Sequence, residues 1–290
     1  MKIDTHQHFW HFEPQDFPWI SEDMPVLRRI QRPADSRPCM DTCGVLGVIA
    51  VQARCCPEET DFLLELAASH PQILGVVGWT DLTSATLEAD LARWHGKEKL
   101  RGFRHLLQDE QDLATFISNP AFNQGLASLQ RRQLVYDVLV FAHQLPMVID
   151  FSARHDQHAL VLDHVCKPAI RHWQTDLESR RQWTRDLRQL ARLPHVSCKL
   201  SGLVTETDWQ HQDEPGAVDI QAIEQCFDVA LEAFGPERLM FGSDWPVSQL
   251  GADYQAVHAI AHNWAASRLD SHEQQAFWGA NAVRIYGLTI

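Results

Sequence analysis

Short runs rich in Val, Ile and Leu recur along the whole chain, and each is followed by a longer segment with helical periodicity. This alternation is the pattern of βα units that build a parallel sheet buried on both faces. The apolar runs predict strands at residues 2–4, 45–52, 74–80, 102–107, 134–139, 159–165, 196–200 and 238–243. Between them lie helical segments at 58–69, entered through Pro57, and at 180–192, stopped by Pro194. A third helix, 220–234, carries Ile220, Ile223, Phe227, Ala230, Leu231 and Phe234 as one apolar stripe before Gly235-Pro236 ends it. Eight strand–helix units without a shift in composition predict a single-domain α/β protein, a closed (β/α)8 TIM barrel over residues 1–290, rather than an open doubly wound sheet.

Two segments break the rhythm. Residues 9–39, dense in aromatics, Pro and charge, are too long for an ordinary βα loop and are expected to cover the barrel mouth. Residues 206–215 carry Trp209, His211 and Asp213. In a barrel both fall on the C-terminal face, where active sites are built.

The chain has 25 Lys+Arg against 38 Asp+Glu, a formal net charge of −13. That balance excludes nucleic acid and anionic membrane surfaces as expected partners. No apolar run reaches the roughly 20 residues of a bilayer span, and the opening MKIDTHQHFW lacks a leader's basic head and apolar stretch, so the expected compartment is the cytoplasm. Cysteines 39, 43, 55, 56, 166, 198 and 226 form no CxxC pair and read as reduced thiols. There is no GxxxxGK[ST], GxGxxG or GxSxG, which leaves nucleotide cofactors and a serine esterase without their usual signatures.

Chemistry is therefore sought at the C-terminal ends of the strands. The first strand ends in Asp4-Thr5-His6-Gln7-His8, where alternation points His6 and His8 to one side. The sixth ends in Asp163-His164, and the eighth runs into Ser243-Asp244-Trp245. Taken singly, an HxH is a common structural pair, His164 a core histidine and Asp244 a turn cap. Together they place three imidazoles and a carboxylate around one rim, a set suited to holding a divalent metal and activating water. Other features carry less. His258 and His262 are spaced i, i+4 but lack the glutamate of HExxH; the stretch 155–158 lies at the barrel's stability face; Cys55-Cys56 are vicinal and would form a strained bridge.

These residues carry a resemblance. His6, His8, His164 and Asp244 at these strand ends resemble the amidohydrolase superfamily of (β/α)8 hydrolases. More narrowly, DTHQHFW (4–10), AVQAR (50–54), GVVGWTDL (75–82), RGFRHLLQDE (101–110), LVYDVLV (134–140), LDHVCKP (162–168), CKLSGLVTE (198–206), LMFGSDWPV (239–247) and NAVRIYGL (281–288) are similar to amidohydrolase-related family 2, the sugar-lactonase branch of L-fuconolactonases and L-rhamnonolactonases. The match runs from the first strand to the last helix. Where many members of the superfamily carry a bridging modified lysine on strand 4 and a histidine on strand 5, this chain has Arg104-His105 and Tyr136-Asp137, so the resemblance implies at most one metal. Zinc suits His6, His8, His164 and Asp244 best, manganese is not excluded, and some lactonases of this kind act without any metal.

The implied reaction is hydrolysis of a small-molecule sugar lactone of the L-fucose or L-rhamnose type. Asp244 is assigned as the base that takes the water proton, with His6, His8 and His164 either coordinating metal or donating hydrogen bonds. Arg104 and His105 are assigned to the substrate carbonyl or hydroxyls. Trp10, Trp79 and Trp245 are offered as faces for the sugar ring, with ordinary packing as the bland alternative. Lys199 is offered as a hydroxyl or carboxylate partner or a member of a buried ion pair, and Gln52 and Arg54 rank below it. Competing readings are a metal-dependent decarboxylase, a Schiff-base lyase through Lys199 and a barrel that only binds. The sequence leaves the oligomeric state open, a homodimer included.

Overall fold

The computed structural model describes residues 1–212 and 214–290. Eight parallel strands pair in sequence order: β1 (Lys2–Gln7), β2 (Val45–Val51), β3 (Ile73–Gly78), β4 (Leu100–His105), β5 (Val135–Val138), β6 (Leu160–Leu162), β7 (Val196–Leu200) and β8 (Leu239–Phe241). The ring closes at its C-terminal end, where Gln7 bridges Trp245 and the Asp244 and His8 amides donate to the His6 and Trp245 carbonyls at 2.9 and 2.8 Å. The helices on the outside are α1 (Pro33–Cys43), α2 (Glu58–Ser69), α3 (Leu87–Arg93), α4 (Leu113–Ser118), α5 (Pro120–Arg131), α6 (Leu145–Arg154), α7 (Leu177–Leu190), α8 (Ala217–Phe234), α9 (Tyr254–Arg268), α10 (Ser271–Gln275) and α11 (Asn281–Tyr286). None is long and apolar enough to cross a membrane.

Strand alternation builds two cores. Val48 and Ala50 face the helices and join the large outer cluster, while Ile49 and Val51 face the barrel axis with Ile3, Val77, Val135, Val161 and Met240. Ile285, Tyr286 and Leu288 from the chain's end join that inner cluster. Apolar layers thus fill the barrel and leave its polar chemistry to the other end.

Several expectations need correction at their edges. Strand β1 runs on to Gln7, because its polar residues still pair with β2. Strands β6 and β8 stop at Leu162 and Phe241, short of the expected 165 and 243, where their pairing with β7 ends, and the backbone turns left-handed at His164 and at Asp244. The end of 9–39, residues 33–39, is not loop but most of α1, started by Pro33 and ended by Gly44 in a left-handed conformation. The rest of the segment does cover part of the rim, with Trp10, Phe17, Ile20 and Leu27 clustered against Ala53.

His155, at the end of α6, illustrates a buried neutral imidazole. Its Nε2 donates to Asn123 Oδ1 at 2.8 Å and its ring lies 4.9 Å from that of Phe151. Burial pushes its pKa down to about 4, helped by Arg154 and opposed by Asp156. Between pH 6.5 and about 4 the unfolded chain therefore binds a proton that the folded one refuses, so stability falls as pH drops through that window. The contribution is a slope of up to about 1.4 kcal/mol per pH unit. Thermal unfolding from pH 7.5 to 4.5 should show a smaller loss for His155→Gln than for the parent chain; equal slopes would remove His155 from the account.

Candidate active site

The site begins with an irregularity in β1. Asp4 pairs with Val48 and Gln7 with Ala50, three steps on one strand against two on the other. Strict alternation from the inward Ile3 would send His6 outward, and this bulge turns His6 and His8 into the barrel instead. Asp4 anchors the distortion from outside the barrel wall. It accepts from the His6 and Ser243 amides at 3.1 and 2.8 Å, from Gln7 Nε2 at 2.7 Å and from the Tyr254 hydroxyl at 3.2 Å. The ends of β1 and β8 are thereby tied together, which brings Asp244 to the two histidines.

At the mouth, Asp244 Oδ1 lies 3.4 Å from His8 Nε2, 3.7 Å from His6 Nε2 and 3.8 Å from His164 Nε2. Asp244 is itself in the left-handed region, with φ 61°. Burial acts to raise its pKa, but His164, His8 and His6 outweigh burial and hold the carboxyl far below the usual carboxylate range. Burial pushes His164 down to about 4 and His6 well below its ordinary value, so both rings are neutral at pH 7. His164 is steadied by Ser201 Oγ, 2.9 Å from its Nδ1.

A layer of buried charge lies beneath. Arg104 Nη1 donates to Asp163 at 3.0 Å and to His6 Nε2 at 3.2 Å, while its Nη2 donates to the Gln52 carbonyl and side-chain oxygens at 2.6 and 3.1 Å. Lys199 Nζ pairs with Asp137 and lies 3.0 Å from Asp163. The Tyr286 hydroxyl completes the Asp137 carboxylate at 2.8 Å. Burial acts to raise Asp163, but Lys199, His6 and Arg104 pull it well below its ordinary value. His6 lies between donors on both sides, with Arg104 Nη1 3.2 Å from its Nε2 and Lys199 Nζ 3.2 Å from its Nδ1, and Asp163 Oδ1 stands 3.3 Å from that same Nδ1. His8 Nδ1 donates to the Val51 carbonyl at 2.8 Å, which turns its Nε2 toward Asp244.

A cavity of about 140 Å³ opens above, lined by His8, Arg104, His164 and Asp244 on its polar side and by Ala53, Leu106, Leu139 and Val247 on its apolar side. Trp19, Gln108, Asp109 and Lys167 complete it. None of these four follows from the strand-end pattern. His6, His8, His164, Asp244 and Arg104 are brought together as the strand-end pattern implies. The other assigned residues lie off the cavity wall. His105 is held between the Trp79 indole, at 3.1 Å, and Glu110, at 2.7 Å, and stacks on Phe116. Trp10 donates to the Leu27 and Arg29 carbonyls within the covering segment. Trp245 packs on Phe9, Lys199 is fully buried and Arg54 pairs with Glu59 at 2.8 Å. In the second irregular segment His211 pairs with Asp208 at the surface, and Asp213 lies outside the described residues.

The donor set fits a divalent cation. His6, His8 and Asp244 offer ligand atoms within 4.8 Å of one another, and the two Nε2 atoms stand only 3.1 Å apart beside Asp244 Oδ1. Each ring is oriented from behind, His8 by a backbone carbonyl and His6 by a carboxylate, as metal-ligating imidazoles are. The fold and this rim together define a hydrolase-type (β/α)8 barrel with a metal-capable His/Asp centre.

The chain belongs to the amidohydrolase family, whose pattern matches residues 3–288. It is 51% identical over 288 residues to an L-fucono-1,5-lactonase of Burkholderia multivorans (strain ATCC 17616 / 249), covering 99% of this chain and 96% of the relative. It is 32% identical to an L-fucono-1,5-lactonase of Burkholderia ambifaria, covering 98% and 95%. A crystal structure of an amidohydrolase from Burkholderia multivorans with bound zinc, 51% identical, superposes with a TM-score of 0.96 over the full length of both chains.

Proposed function

We propose that this chain opens L-fucono-1,5-lactone, or a closely related aldonolactone, to the free aldonic acid by attack of water, with Asp244 as general base. The observation that carries the proposal is a carboxylate 3.4 to 3.8 Å from three imidazoles at the wall of a cavity sized for one small ring. The 51% identity to an L-fucono-1,5-lactonase supports the substrate class.

In the reaction the water oxygen attacks the lactone carbonyl carbon and Asp244 accepts the proton. Asp244 takes the proton as the carbon–oxygen bond forms, in the manner of a positioned general base. The Asp244 proton then passes to the ring oxygen as the ring bond breaks, which completes hydrolysis without net change in the protein. His8 and His164, beside Asp244, orient the water and the ester. Leu106, Leu139 and Val247 exclude bulk water from the opposite side. A zinc ion held by His6, His8, His164 and Asp244 would supply Lewis acidity toward the carbonyl and a more acidic water. Lys199, sealed between Asp137 and Asp163 and absent from the cavity wall, has no route to a substrate carbonyl, which weighs against an imine mechanism. The seven cysteines are all free, which supports a reducing, cytoplasmic compartment.

A pH-indicator assay on freshly prepared L-fucono-1,5-lactone, L-rhamnonolactone and galactonolactone should give rapid acid release from at least the first. No release from any of the three would overturn the proposal. Calorimetric titration of the chelated protein with zinc should give one site per chain, lost in His8→Ala; retained binding in that variant would remove His8 from the ligand set.

A further inference from the structure

Among the cations at the cavity, Arg104 is almost fully committed. Both of its terminal nitrogens spend their protons on Asp163, His6 and Gln52, and only the Nε proton has no partner. A group that must receive negative charge in the transition state therefore has to be sought elsewhere. Lys167 also lines the cavity, its Nζ stands 5.3 Å from the centre of the Phe141 ring, and among the described residues it forms no ion pair. Among the described residues its three N–H donors have no hydrogen-bond acceptor.

The backbone is distorted to put it there. His164, Val165, Cys166 and Lys167 have φ of 55°, 50°, 63° and 42°, four consecutive residues in the left-handed region and none of them glycine. Single residues visit this region at a cost, and a β-branched valine does so rarely. The turn is closed by the Lys167 amide donating to the His164 carbonyl at 2.8 Å, so that the two residues, three apart, stand over one face. That face is the cavity wall, which both side chains line, while Val165 and Cys166 between them are wholly buried in the outer core. The Trp183 indole locks the buried side by donating to the Val165 carbonyl at 2.9 Å. Gly202 clears the other flank, since a Cβ there would sit 2.4 Å from His164 Nδ1. Strain held in place by packing on both sides, with its two outward residues at one site, is the pattern expected of a functional distortion.

We propose that Lys167 is a catalytic residue, donating from Nζ to the lactone carbonyl oxygen as it becomes an oxyanion and afterwards to the carboxylate of the product. This deepens the lactonase reading and rests on it. As water adds to the carbonyl carbon and Asp244 takes its proton, the π electrons move to the carbonyl oxygen, where the ammonium group meets them. They return when the carbon–ring-oxygen bond breaks and the ring oxygen takes the proton from Asp244. Lys167 keeps all its protons throughout and acts as a fixed positive charge.

The test compares Lys167→Met and Lys167→Arg with the parent chain. Steady-state kinetics on L-fucono-1,5-lactone should show kcat lower by about 100-fold or more in Lys167→Met, with KM changed much less and the melting temperature held, and partial recovery in Lys167→Arg. Calorimetric titration with the free aldonate should show at least about tenfold weaker binding in Lys167→Met, for loss of a charge-assisted contact. A kcat within about threefold of the parent, or a loss confined to KM, would overturn the proposal. Should Lys167→Met fail to fold, Lys167→Ala with added methylamine replaces it: activity rising with amine supports the role, and no rise refutes it. If the parent chain opens no sugar lactone, the functional reading itself fails, and aldonate affinity unchanged in Lys167→Met then removes the anion site as well.

Discussion

Asp244→Asn is expected to lower kcat for lactone hydrolysis by about 10³-fold while leaving the fold intact, in line with the loss of a positioned general base. The substitution is nearly isosteric, and the Asp244 amide still donates to the His6 carbonyl at 2.9 Å, so the junction of β1 and β8 survives. What disappears is the charge. Three imidazoles surround the carboxylate at 3.4 to 3.8 Å, and among the described residues it is the one carboxylate of this cluster on the cavity wall. Asp109, the other acid on the cavity wall, is not among the groups gathered around Asp244. The measurement is kcat and KM under saturating lactone, with far- and near-ultraviolet circular dichroism to certify the fold. Residual kcat above about a tenth of the parent value would assign the water proton to another group.

The barrel was legible because its strands are buried on both faces and so read as unbroken apolar runs. Val196–Leu200 coincides with the expected strand, and Glu58–Ser69 with the expected helix. The errors lie where polar chemistry bends the backbone. β1 was read too short because Asp4-Thr5-His6-Gln7 looks unlike a strand, and β6 was read too long because Asp163-His164-Val165 looks like one. Neither the bulge that turns His6 inward nor the left-handed turn after Leu162 has a compositional mark: no glycine or proline stands at the four turn positions.

The same limit governs the site. Residue type and strand-end position bring out His6, His8, His164, Asp244 and Arg104, which the structure gathers within one cluster. Direction is another matter. Trp10, Trp79 and Trp245 also stand at strand ends, yet large rings bury themselves, and each turns into packing or a hydrogen bond away from the cavity. Trp19 reaches the cavity from the covering segment, whose path no periodicity describes. Lys167 lies within the LDHVCKP motif, but whether it faces the cavity depends on a turn that only coordinates reveal.

Asp163→Asn is expected to destabilise the fold by about 3–5 kcal/mol, the usual cost of stranding a buried charge. Asp163 is wholly buried and is shared by Arg104 at 3.0 Å, Lys199 at 3.0 Å and the His6 imidazole at 3.3 Å. Two carboxylates, Asp163 and Asp137, face two cations in this layer, so it is neutral as a whole. Removing one negative charge leaves Lys199 on Asp137 and Arg104 with only the neutral oxygens of Gln52 and the His6 lone pair. Lys199 is sealed from water and Arg104 meets it only at the cavity edge, so solvent compensates little. For a chain of this size the loss corresponds to a fall in melting temperature of roughly 10 °C. Asp163→Asn combined with Arg104→Gln restores charge balance and should recover part of that fall, which a merely steric effect of the amide would not allow. A single variant melting within about 2 °C of the parent would mean that the layer re-pairs without Asp163. Activity should suffer too, but by a separable route, since Asp163 lies 3.3 Å from the His6 imidazole and holds Arg104 beneath it. The residue that shapes the site is therefore also the one that makes its burial tolerable, and the two effects divide between a melting curve and a rate.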